Sequence, residues 1–74
     1  MIYVEVKIGD NNDDRFSTTV QVKISRRQLE ILHDYKHNEF SETWEYFTNK
    51  INRFYPNLPV DWFVDEIIGE VKND

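Results

Sequence analysis

The sequence predicts an α+β domain: an antiparallel β-hairpin followed by three α-helices packed on one face of the ribbon, in the order ββααα. Two N-terminal stretches alternate apolar and polar residues, which is typical of half-buried strands. Two later stretches instead repeat apolar residues at helical spacing, and a capping signal marks one more helix between them and the hairpin. The 74 residues suffice for one small domain, which we place at residues 1–74.

The hairpin is predicted from two runs of period-two alternation, at about residues 2–8 and 16–24. Between them lies the polar run GDNNDDR of residues 9–15, whose composition is typical of a turn. A lone hairpin is marginally stable in water, so its apolar side must pack against helices. The residues expected on that side are Ile2, Val4, Val6, Ile8, Phe16, Thr18, Val20, Val22 and Ile24.

The first helix, at about residues 26–37, is predicted from its start signal. Ser25 and Gln28 form the S-x-x-Q pattern of a capping box, in which each side chain bonds the backbone N–H of the other residue. The apolar side expected to follow consists of Leu29, Ile31, Leu32 and Tyr35.

The central helix, at about residues 40–54, carries the strongest apolar stripe of the chain. A helix with this much aromatic surface on one side must bury that side. Asn38 or Ser41 is expected to cap its start, and Pro56 ends it. The stripe consists of Phe40, Trp44, Phe47, Ile51 and Phe54.

The third helix, at about residues 59–70, is predicted from Pro59 near its first position and from a further apolar stripe. Gly69 is expected to end this helix or to weaken its last turn. The stripe consists of Val60, Val64, Ile67 and Val71. All the stripes together predict a core of Val4, Val6, Val20, Val22, Leu29, Leu32, Trp44, Phe47, Ile51, Val64 and Ile67.

Composition disfavours several classes of protein. The chain has no cysteine, so neither a disulfide nor a thiolate metal ligand is available. It has no apolar run of membrane-spanning length and no signal-peptide pattern, so we expect a soluble cytoplasmic protein, in the host cytoplasm if a phage encodes it. The net charge of −5 disfavours direct binding to nucleic acid or to anionic lipid. It is compatible with a partner that has a basic surface and, alternatively, with a role in solubility alone.

No arrangement of residues predicts a catalytic, metal or cofactor site, so we expect that the chain is not an enzyme. His33 and His37 share one side of the first helix, but zinc requires at least three protein ligands. The turn matches a calcium-binding loop at its first three ligand positions but lacks the later glycine and glutamate. The three matching residues are Asp10, Asn12 and Asp14.

The predicted third helix carries an acidic face that is a candidate partner-binding site. Between Phe54 and Val71 the chain has no basic residue, and Trp62 is expected opposite the apolar stripe, among the acids. A tryptophan ringed by carboxylates is typical of an interface anchor, and its placement in the core is an equal alternative. Together with a tyrosine off the central stripe, the candidate partner-binding residues are Asp61, Trp62, Asp65, Glu66, Glu70 and Tyr46.

The favoured hypothesis is a non-enzymatic, acidic protein-binding module. In size and charge, though in no motif, the chain is similar to small phage or mobile-element inhibitors of host nucleases, including anti-CRISPR proteins. That similarity implies that the protein occupies a basic groove of its partner, for example a nucleic-acid-binding protein, by mimicking phosphates.

The alternative hypothesis is a dimeric DNA-binding regulator or antitoxin. The strand–helix–helix order from Thr18 to Phe54 distantly resembles ribbon-helix-helix proteins, in which paired strands read the major groove. The resemblance implies a homodimer and contacts to DNA from the outward strand side chains and the start of the first helix. The candidate nucleic-acid-binding residues are Thr19, Gln21, Lys23, Arg26 and Arg27.

Overall fold

The computed structural model describes residues 1–33 and 42–72, which form a three-stranded antiparallel sheet with two helices on one face. The sheet order is β2-β1-β3, so the N-terminal strand is central. Neither helix in this part of the chain is long and apolar enough to cross a membrane. In chain order the elements are β1 (Ile2–Asp10), β2 (Asp13–Ile24), α1 (Arg26–Leu32), α2 (Glu42–Phe54) and β3 (Trp62–Glu70).

The predicted third helix at residues 59–70 is wrong, because this segment contains the strand β3. Over the described residues the order is therefore ββααβ and not ββααα. β3 pairs with β1 through two register shifts, one on either side of the Val6–Lys7 stretch, and each adds one residue to β3. Its residues on the helix side are consequently spaced two, three and three apart, which imitates helical spacing. They are Trp62, Val64, Ile67 and Glu70.

β1 and β2 form a regular ladder. Their register runs without a shift from the pair Ile2–Ile24 to the pair Gly9–Ser17, and the only irregularity lies at the turn. The strands cover the predicted ranges and extend them toward each other, so that the turn shrinks to Asn11 and Asn12. Period-two alternation buries one side of both strands beneath the helices and leaves the other face of the sheet open.

The start of α1 has the predicted cap. The Gln28 N–H donates to Ser25 Oγ at 3.1 Å, and the Ser25 N–H donates to Gln28 Oε1 at 2.9 Å. Both bonds of the capping box are therefore confirmed. The predictions made for Tyr35, His37, Asn38, Phe40 and Ser41 lie outside the described residues.

The core lies between the sheet and the two helices. Eight of the eleven predicted core residues are buried, and the other three, Leu29, Trp44 and Ile67, are half-buried against them. Ile8 and Ile24, which the prediction omitted, are fully buried. The prediction that Phe54 is buried with the rest of the central stripe is wrong.

Phe54 is 63% exposed because it lies in the last turn of α2, where it borders surface grooves along the outer edge of β2 instead of facing the sheet. The aromatic stripe of α2 therefore covers the sheet only as far as Ile51, which is fully buried. The outer edge of β2 lies beyond the part of the sheet that this stripe covers.

Both glycines of the chain lie in the β1–β3 ladder, each for its own reason. Gly69 lies at a register shift with φ 137°, a backbone conformation that L side chains rarely adopt. Gly9 pairs with Phe63, whose ring packs so closely over it that an added Cβ would lie 2.5 Å from Phe63 Cζ. Gly69 thus permits a bend in a strand, and the prediction that it ends a helix is wrong.

Candidate partner-binding surface

The acidic residues of β3 face two different sides of the sheet. Glu66 pairs with Lys7, and Asp65 Oδ2 lies 3.6 Å from Lys7 Nζ, so both carboxylates lie on the open face. Glu70 lies on the helix side, where it accepts two hydrogen bonds from Arg26 at 2.8 and 2.9 Å. The candidate residues therefore do not share one face, because the helix that would have aligned them is a bulged strand.

Trp62 lies on the helix side of β3. Its indole is half-buried against the core, and its Nε1–H donates to Asn52 Oδ1 of α2 at 2.7 Å. The sequence left an interface anchor and a core residue as equal alternatives for Trp62. In the structure its ring packs between β3 and α2. The aromatic residue that β3 presents on the open face is Phe63, which is 39% exposed.

Tyr46 is exposed on α2, and its contacts are with Lys50 of the same helix. The Lys50 ammonium donates to the Tyr46 hydroxyl at 3.3 Å and lies 5.4 Å from the centroid of its ring. This local pair gives the ring a cation–π partner at the surface. Tyr46 thus lies on a different element from the acids with which it was grouped.

The structure brings the acids of the hairpin turn beside Asp65, a grouping that sequence analysis missed. A groove of about 340 Å³ lies on the open face at the turn end of the sheet, with Gly9 and Phe63 among its lining residues. Among the described residues that line it, the one basic side chain is Lys7, which is already paired with Asp65. We call this cavity the acidic groove; the four acidic residues that line it are Asp10, Asp13, Asp14 and Asp65.

The turn beside the acidic groove is held by the residue that precedes β3. The backbone N–H and the Nδ2 of Asn11 both donate to the Asp61 carbonyl, at 3.2 and 3.1 Å, and Asn12 Nδ2 donates to the Asp61 carboxylate. Within the turn, the Asn12 N–H donates to Asp10 Oδ1 at 3.0 Å. In residues 1–33 and 42–72, no group of three or more His, Cys, Asp or Glu side chains is placed to hold a metal ion.

The alternative nucleic-acid-binding residues lie on two elements. Thr19, Gln21 and Lys23 are exposed on β2, on the open face of the sheet. Arg27 is exposed in the first turn of α1, whereas Arg26 is engaged by a carboxylate of β3. The strand side chains are therefore accessible, and one of the two arginines is already paired.

The outer edge of β2 is the edge that a ribbon-helix-helix dimer would pair, and a side chain contacts it. The Gln21 N–H donates to the Tyr55 hydroxyl at 3.1 Å, and that hydroxyl donates to the Gln21 carbonyl at 3.0 Å. Comparison of the chain with protein-family models, curated proteins and solved structures finds no significant match.

Proposed function

We propose that this protein is a non-enzymatic, acidic protein-binding module that engages a basic surface of its partner through the acidic groove. The observation that supports the proposal is that Asp10, Asp13, Asp14 and Asp65 line one groove together with Phe63, which is exposed. Carboxylates pair with lysine and arginine, and the face of an aromatic ring attracts the same cations. The net charge of −5 adds steering at longer range.

A partner that normally binds nucleic acid has the matching chemistry, because its basic groove is arranged for phosphates. The carboxylates of the turn and of β3 take the place of phosphate oxygens in such a groove. In this role the protein is an inhibitor of the kind that phages and mobile elements direct against host nucleases, such as an anti-CRISPR protein, and it acts in the host cytoplasm.

The test reverses two charges of the acidic groove and two charges elsewhere. Asp14→Lys combined with Asp65→Lys changes the groove, and Glu42→Lys combined with Glu45→Lys changes α2. All four side chains are exposed, and both variants have the same net charge. Binding of a fluorescent arginine-rich peptide is followed by anisotropy at several salt concentrations, with a melting curve for each variant.

The groove variant should bind the peptide about tenfold or more weakly, with a shallower dependence on salt, because local pairs and steering are both lost. The α2 variant should lose far less affinity. Equal losses in the two variants would show that the peptide responds only to net charge, and the proposal for the groove would be wrong.

A further inference from the structure

The outer edge of β2 is covered over part of its length by two side chains that take the place of a neighbouring strand. The hydroxyl of Tyr55 both accepts from the Gln21 N–H and donates to the Gln21 carbonyl, as a strand backbone would. Lys50 Nζ donates to the carbonyl of Lys23, two residues further along the same edge. We call this pair of side chains, Tyr55 and Lys50, the latch.

The edge continues beyond the latch. Backbone groups alternate in direction along a strand, so Ser17 and Thr19 point their N–H and C=O groups to the same side as Gln21. β2 has no register shift over this stretch that would turn the edge away. A surface groove bordered by Phe54 and Leu58 runs beside Ser17, so the edge is accessible there.

The residues of this edge have the composition of a strand that pairs readily with another strand. Residues 16–22, FSTTVQV, contain no charge, no glycine and no proline, and they are rich in residues that favour strands. Segments of this kind on an accessible edge associate unless something blocks them. The nearest charges are on Arg15 and Lys23, which flank the segment.

We propose that the latch prevents β2 from pairing with β2 of a second copy of this chain. The segment is complementary to itself in an antiparallel arrangement. A two-fold axis at Val20 places Gln21 opposite Thr19 and Lys23 opposite Ser17, so that no two cations face each other. Because the latch already holds the backbone at Gln21 and Lys23, the second strand gains those bonds only when Tyr55 and Lys50 release them.

The test compares two double variants. Tyr55→Phe combined with Lys50→Met removes the hydroxyl and the ammonium of the latch and keeps most of the apolar volume. Tyr3→Phe combined with Arg27→Met removes one hydroxyl and one cation from exposed residues of β1 and α1 and is the matched control. Self-association is measured by sedimentation equilibrium, and circular dichroism monitors folding; if the first variant does not fold, Tyr55→Phe alone replaces it.

The latch variant should self-associate about tenfold or more tightly than the parent, because the freed backbone groups bond a second strand instead. The control should match the parent. Adding Thr19→Pro, which removes an N–H from the outer edge, should abolish the gain, and Thr19→Lys serves the same purpose if the proline variant does not fold. No gain over the control, or a gain that survives the Thr19 substitution, would overturn the proposal.

Discussion

The central strand β1 has two neighbours that differ in regularity. Its ladder with β2 keeps one register from Ile2 to Gly9, whereas its ladder with β3 shifts twice and requires both glycines. A regular ladder leaves a straight outer edge, and Tyr55 and Lys50 cover part of that edge. A bulged ladder distorts its own edge, and an irregular edge is a poorer template for a further strand than a straight one.

Replacement of Phe47, which supports both ladders, should have the largest effect. Phe47 is fully buried in the core beneath the sheet, so Phe47→Ala should cost about 3–5 kcal/mol, most of the stability of a domain this small. Urea unfolding should measure that loss, and hydrogen exchange should show both ladders losing protection together. Tyr46→Ala, an exposed change on the same helix, should cost under about 1 kcal/mol.

If β3 amides exchanged rapidly in Phe47→Ala while the amides between β1 and β2 stayed protected, the two ladders would be separate cooperative units. The two ladders would then differ in their stability to local unfolding as well as in the regularity of their pairing.

Substitution of a glycine should affect the irregular ladder alone. Gly69→Ala should cost about 1–3 kcal/mol, because alanine at φ 137° is strained even though the space around it is open. Gly9→Ala should cost less, because the Phe63 ring that it meets is 39% exposed and can move toward solvent. Thermal unfolding of the two variants measures both effects.

The explanation for Gly9 has its own control. Phe63→Ala removes the ring that a Cβ at Gly9 would meet, so the cost of Gly9→Ala should shrink in that background. An unchanged cost would mean that the ring does not account for the glycine.

The smallest expected effect concerns the contact that joins α1 to the end of β3. The Arg26 side chain is 70% exposed, so Arg26→Gln should cost less than about 1 kcal/mol despite two short hydrogen bonds to Glu70. Melting curves at low and high salt should show the difference disappearing as salt screens the pair. A difference that persisted at high salt would indicate that packing of the arginine, and not its charge, holds the end of β3.

The contrast between the ladders also explains which parts of the fold the sequence could predict. β1 and β2 follow period two and α1 starts with a complete capping box, so local rules apply to them. β3 breaks period two twice, and local spacing does not reveal an inserted residue. The available signal was the aromatic and β-branched content of residues 62–68, WFVDEII, together with like charges four apart that a helix would not favour.

Of the four acidic residues of the groove, the sequence predicted only Asp65 as a partner-binding residue. Asp65 was predicted because its segment is rich in acids and has no basic residue. Asp14 lies far from it in the sequence, and the two residues line the same groove only because β3 pairs with β1. For Trp62, the choice between interface and core depended on which side of a bulged strand it occupies. Such relations arise from tertiary pairing and are absent from any local pattern.

The strand order β2-β1-β3 has a consequence for how the molecule forms. β1 reaches β2 across a two-residue turn, whereas its pairing with β3 joins Val4 to Glu70, across almost the whole chain. Closing the longer loop costs more entropy, and non-local pairing is slow. On the ribosome the hairpin emerges long before β3. The acidic groove therefore lacks Phe63 and Asp65 until the last strand docks, and a nascent chain acquires its proposed binding surface at the end of folding.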